Sequence, residues 1–167
     1  DEKSYDYIKS LKALDEALIY LDLRDFYSKE FYESIDKCQE VLQEEYEKGN
    51  YVIAGGDFNQ TFPGALEQYP VKNAELWTPG VLDEKDLPGA GWQFVTDLKT
   101  PTCRLLNQPY DPADPATQYY VIDGFIVSPN VRVDSVETLD EAIEYTDHNP
   151  VLMNVTLQAG KSKTKKS

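Results

Sequence analysis

The sequence predicts an α/β fold, a mixed sheet packed by helices. Three observations carry that prediction. Apolar residues recur at helical spacing through 31–46. Short apolar runs at 51–55, 119–127 and 151–157 have strand character. An alternating run, a helix and a second run follow one another on short links, the layout of a crossover unit in an α/β sandwich. At 167 residues, 41% of them hydrophobic, the chain has the material for one domain with a real core.

Taken in order, residues 5–18 place Tyr7, Ile8, Leu11, Leu14 and Leu18 at helical spacing, opposite Lys9, Lys12, Asp15 and Glu16. From Ile19 the period changes: Ile19, Leu21 and Leu23 alternate with Tyr20, Asp22 and Arg24, as in a strand with one buried face. Ser28 is placed to cap a second helix carrying Phe31, Ile35, Cys38, Leu42 and Tyr46 on one stripe, and Gly49-Asn50 is placed to stop it. A strand at 51–55 follows at once. Eight of the ten prolines fall in 63–115, which excludes long helices there. Within that stretch Leu76-Trp77 and Trp92–Val95 are expected as small strands or aromatic plugs. A loop region of this length usually wraps the rim of a site. Tyr119–Val127 reads as one apolar strand with Asp123 in its middle, Val131–Val136 as an edge strand, and Val151–Leu157 as the last strand. The tail, 160–167, has no apolar group to anchor it. The expected organisation is therefore a single domain over 1–159 and a basic disordered tail.

Charge bears on partners. The net charge is −14, and four of the 16 basic residues sit in the tail, leaving 12 basic against 30 acidic side chains in the body, a charge of −18. Such a body repels long nucleic acid, whose affinity comes mainly from Lys and Arg displacing counterions. Bound metal ions reverse that repulsion locally, so a nuclease is disfavoured rather than excluded. The two cysteines, Cys38 and Cys103, make no disulfide framework, and spacing leaves their pairing open. The sequence has no signal peptide and no run long and apolar enough to span a membrane. The chain opens at Asp1 without an initiator methionine, which suggests that an upstream segment was trimmed.

Two polar clusters stand out. In Gly56-Asp57-Phe58-Asn59, a strand runs into Asp and Asn two residues apart, which on an extended chain address one ligand together. A carboxylate there can ligate a hard cation or take a proton from water, and an amide can donate to a phosphate oxygen. The plainer reading is an Asx-turn after a strand. In Thr146-Asp147-His148-Asn149-Pro150 lies the single histidine, the one side chain whose ordinary titration falls near neutrality. Adjacent residues on extended chain point to opposite sides, so Asp147 and His148 are expected to serve different neighbours. Asp123 is either paired inside the apolar run or an edge-strand carboxylate facing solvent beside a bulge at Gly124. Arg104 is the one basic residue of the loop region considered for phosphate contact, with an ordinary surface arginine as the simpler expectation.

The ordered set GDFN after a strand, then YVIDGFIVS, then TDHNPV before the final strand, resembles the endonuclease/exonuclease/phosphatase family of metal-dependent phosphoesterases. That family includes pancreatic-type deoxyribonuclease, neutral sphingomyelinases and inositol polyphosphate 5-phosphatases. The likeness covers roughly 19–157. It implies a four-layer, deoxyribonuclease-like α/β sandwich and roles residue by residue. Asp57 orients or deprotonates the attacking water, and Asn59 holds that water or a phosphate oxygen. His148 contacts the scissile phosphate, with Asp123 fixing its tautomer and raising its pKa. Asp147, with Asp57, binds Mg²⁺ or Mn²⁺. Thr146 stands where the family often has Ser.

The likeness also has gaps. The family's N-terminal strands, which end in Asn and in a metal-ligating Glu, have no counterpart before Asp57, and Asp22 stands where the family has a His. The resemblance is therefore to a C-terminal half, a partial sandwich missing much of its N-terminal half. Half a sandwich leaves an inner sheet face uncovered, which favours a homodimer or a complementing N-terminal half. The expected function is divalent-metal-dependent hydrolysis of a small phosphoester, a lipid headgroup or a sugar phosphate. The alternative is a truncated or degenerate relative without turnover, acting as a binding domain or a fold fragment.

Overall fold

Helix α1, Phe31–Glu47, turns Cys38, Leu42 and Tyr46 toward the core and leaves Val41, off that stripe, exposed. It stops at Gly49, whose φ of 94° lies in the left-handed region, while the Asn50 N–H returns to the Glu45 carbonyl at 3.2 Å. The structure is a computed structural model describing residues 18–19, 31–73, 75–140 and 143–158. The helix expected over 5–18 (save its last residue), the alternation after Ile19, the Ser28 cap and the basic tail lie outside the described residues.

The chain is a mixed α/β protein. Strand β1 (Leu18–Ile19) pairs in parallel with β2 (Tyr51–Asp57), so the crossover through α1 is present as expected. Strand β2 runs two residues beyond the expected 51–55. The proline-rich stretch holds short pieces only: β3 (Gln60–Thr61), the four-residue helix α2 (Ala65–Gln68), β4 (Gly80–Val81), a 3₁₀ turn (Glu84–Asp86), β5 (Gln93–Val95) and β6 (Cys103–Arg104).

The expected single strand over 119–127 is broken. Tyr119–Tyr120 (β7) pairs with β6, and Asp123–Val127 (β8) pairs with β2 and β5 in the sheet ordered β1-β2-β8-β5. Val121 and Ile122 are the hinge between the two sheets. Their carbonyls accept from the N–H groups of Phe62 and Phe58, and the Thr102 hydroxyl accepts from the N–H groups of Ile122 and Asp123. Loop backbone and one side chain thus replace the ladder where the chain bends, and Asp123 is the first residue past the bend.

The four-stranded sheet is covered on both faces. Val52, Ala54 and Ile126 face Leu42 of α1 and the loop aromatics Phe58, Phe62 and Trp92. Tyr51, Val95 and Val127, with Ile53 and Phe125, face a hairpin of β9 (Val131–Thr138) and β10 (Val151–Leu157), packing on Val131, Val133, Val136, Met153 and Val155. The period of two along β2 divides its residues between these layers. The face expected to lie open is therefore occupied by the hairpin of this same chain, and the predicted edge strand is the longer β9. Asp123 is not an edge residue: β8 lies between β2 and β5. Nor does Gly124 mark a bulge, because it pairs in register with Gly56. It is glycine for lack of room, since a Cβ there would sit 2.6 Å from the Val95 carbonyl oxygen and 2.7 Å from the Phe62 ring.

Among the described residues no helix is long and apolar enough to cross a membrane.

Candidate active site

Register sets the first two groups. Asp57, the last residue of β2, is the cross-strand partner of Asp123, the first of β8. Two carboxylates so placed need a cation or donors between them. His148 supplies one. Its Nδ1 lies 2.9 Å from Asp123 Oδ2, and its Nε2 lies 3.9 Å from Asp57 Oδ2 and 3.8 Å from Asp147 Oδ2. The two polar clusters, far apart in sequence, meet through this ring.

The ring is held by backbone. His148 bridges Cys103 across an isolated antiparallel pair, its N–H reaches the Thr146 hydroxyl at 3.1 Å, and the neighbouring Asn149 N–H reaches the Thr102 carbonyl at 2.8 Å. Asn149, almost wholly buried, donates to the Pro101 carbonyl and accepts the Ile143 N–H. Thr102 thereby fastens Asp123 with its hydroxyl and the 148–149 segment with its carbonyl.

Asn59 reaches the site differently from the sequence expectation. It is not on the strand but in a turn at φ 49°, a left-handed conformation that Asn tolerates better than most residues. Its N–H bonds Asp57 Oδ1 at 2.8 Å, so the Asx-turn is real. Phe58, between them, is buried and pins the turn to the core. The opposite-sides expectation for Asp147 and His148 fails too, because the chain turns at Thr146 and both side chains line one cleft.

That cleft, about 230 Å³, is lined by the polar Asp57, Asn59, Asp147 and His148 and by the mostly apolar Trp77, Leu105, Leu106, Tyr120 and Ile122. Trp77 is half exposed and fixed, its ring edge-on to Tyr120 at 5.1 Å and its carbonyl accepting the Tyr120 hydroxyl at 2.7 Å.

The electrostatics follow from the contacts. The Asp123 hydrogen bond, with help from Cys103 and against burial, pushes His148 from its ordinary 6.5 up to about 11, so the ring is an imidazolium at neutral pH. Burial raises the Asp57 carboxyl above the usual carboxylate range; the Asn59 N–H opposes the shift and the Asp123 charge adds to it. A raised carboxylate is a stronger base. Burial also pushes the Cys103 thiol up, keeping it a thiol that donates to the Arg104 carbonyl at 3.4 Å. Both cysteines are free.

Asp57, Asn59, Asp147 and His148 thus share the cleft, with Asp123 behind the ring. Sequence reading missed Thr102, Cys103 and Asn149 as the frame; their signals were the polar pair Thr102-Cys103 inside a proline-rich loop and the place of Asn149 in the histidine cluster. It also misjudged Arg104, which is not an ordinary surface arginine but is only 8% exposed.

No protein-family model matches the chain, and no curated protein matches it.

Proposed function

We propose that the chain is a metal-dependent phosphoester hydrolase of the endonuclease/exonuclease/phosphatase type, folded as part of that family's α/β sandwich. The observation that carries this reading is the convergence on one cleft of a base-like carboxylate, Asp57, and an imidazolium, His148, backed by Asp123. Asp57 takes the proton of the attacking water. Asn59 orients that water or a phosphate oxygen. His148 donates from Nε2 to the phosphoryl oxygens as their charge grows, and Asp123 keeps its ring protonated and aimed.

The donor set suits a hard cation on oxygen ligands. Asp57 and Asp147 flank His148 Nε2 and would hold Mg²⁺ or Mn²⁺, an ion that keeps several waters and needs one or two carboxylates plus substrate oxygens. When bound, it supplies Lewis-acid polarisation of the phosphoryl group. Among the described residues no group of three His, Cys, Asp or Glu is arranged to hold an ion unaided, so substrate oxygens would complete the shell. The second reading is a truncated or degenerate relative without turnover, acting as a binding domain or a fold fragment. The negative body and the small size of the cleft favour a small phosphoester over long nucleic acid.

Hydrolysis of bis(p-nitrophenyl) phosphate with and without Mg²⁺ decides between the readings. Metal-dependent turnover, lost in Asp57→Ala and in His148→Ala, is expected. Turnover that survives either change sinks the assignment, and binding without turnover selects the second reading.

A further inference from the structure

Next to the cleft lies a larger cavity of about 520 Å³, lined by Arg104, Tyr110, Pro112, Asp140, Ile143 and Glu144. Arg104 lines both spaces. Its side chain is more than nine-tenths buried, yet its donors are mostly unspent. Nε donates to the Ile143 carbonyl at 2.8 Å, and the guanidinium stacks over Tyr110 at 5.1 Å. Among the described residues no carboxylate lies within ion-pair distance of it, and no other hydrogen bond engages it. A buried cation without a counter-charge is costly, and the open fork of N–H groups matches the two oxygens of a carboxylate or phosphate.

The remaining lining narrows the ligand. Among the described lining residues, Asp140 and Glu144 put two negative charges on the cavity against the one positive charge of Arg104. A plain anion would meet net repulsion there. An anion carrying its own cation would satisfy both walls, its oxygens on Arg104 and its ammonium on Asp140 and Glu144. We propose that this cavity is a binding site for a small zwitterion, an oxyanion and an ammonium group on one molecule. The site adjoins the phosphoester cleft through Arg104 and is tested by binding alone.

The test is calorimetric titration of the full chain in metal-free buffer. O-phosphoethanolamine and β-alanine carry both charges; ethyl phosphate and ethanolamine carry one each. At least one zwitterion is expected to bind about tenfold more tightly than either single-charge probe, and which one does so distinguishes a phosphate from a carboxylate ligand. Glu144→Gln and Asp140→Asn are each expected to weaken the zwitterion about tenfold and to leave ethyl phosphate no weaker, since each change removes a charge that repels it. Arg104→Lys is expected to weaken both. Glu144 is exposed, so its variant decides if Arg104→Lys fails to fold. The proposal is overturned if neither zwitterion binds, if ethyl phosphate binds as tightly, or if Glu144→Gln and Asp140→Asn change nothing. It is also overturned if binding is lost in Asp57→Asn and kept in Glu144→Gln, which would place the ligand in the cleft.

Discussion

The Asp123 carboxylate holds His148 Nδ1 at 2.9 Å from the strand position directly opposite Asp57. One carboxylate therefore charges the ring while the other faces its far nitrogen. The first consequence is a pH dependence of stability. A histidine whose folded pKa is raised contributes stability that is fully present below its unfolded value, about 6.5, and is lost as pH rises through its folded value, about 11. Asp123→Asn is expected to bring the ring back toward 6.5, read from the single histidine in an NMR titration. Denaturation at pH 6 and pH 10 should then show a smaller loss between the two for the variant than for the parent.

Asp57 makes the opposite demand. Burial raises its folded pKa, so its stabilising share is present below the unfolded carboxylate value and is lost as pH rises through the folded one. At neutral pH its charge is a burden on the fold. Asp57→Asn keeps an oxygen for the Asn59 N–H and removes the charge. It is expected to leave stability at pH 7 equal or higher while lowering any phosphoester turnover by roughly 10²–10⁴-fold. A variant that loses stability and turnover together would make the residue structural instead.

Gly124→Ala tests the packing that seats Asp123. The added methyl meets a backbone carbonyl oxygen, which cannot swing aside as a side chain can. A loss of about 1–3 kcal/mol in urea denaturation is expected. A loss under about 0.5 kcal/mol, the usual span of a surface change, would mean that β5 and β8 separate easily.

The two tryptophans report different places. Trp92 is buried with its indole N–H on Gln43 at 3.2 Å, whereas Trp77 stands in the cleft wall. An aryl phosphate titrated in the presence of Mg²⁺ is expected to change the fluorescence of Trp92→Phe, which keeps Trp77, and to leave Trp77→Phe silent. The reverse result would put the ligand elsewhere.

Much of the site was legible because buried charge is conspicuous against apolar sequence. Asp57 after a four-residue apolar run, Asp123 inside another, and a lone histidine next to Asp147 each break a local pattern. The crossover through α1 was legible for a similar reason, since helix period and stop signal agree. What sequence could not carry was pairing. Nothing local says that Tyr119–Tyr120 and Asp123–Val127 belong to different sheets; the break depends on Thr102, Phe58 and Phe62, brought in from elsewhere. Asn59 went astray by the same mechanism, a turn conformation replacing an extended one. Arg104 was misread because nothing in Pro101-Thr102-Cys103-Arg104 reveals the Ile143 carbonyl and Tyr110 ring that enclose it.

The Val52 N–H bonds the Ser128 hydroxyl across 76 residues, and the Tyr51 hydroxyl bonds the Gln158 carbonyl across 107. Such links have high contact order, so their loop-closure entropy must be met before they stabilise anything. The bend at Val121-Ile122 shares this property, because it needs partners from the 58–62 and 102 segments before Asp123 can find His148. On refolding from urea, helical signal should therefore return early and the downfield Nδ1–H resonance of His148 docked on Asp123 last. The cleft is a report on the finished fold.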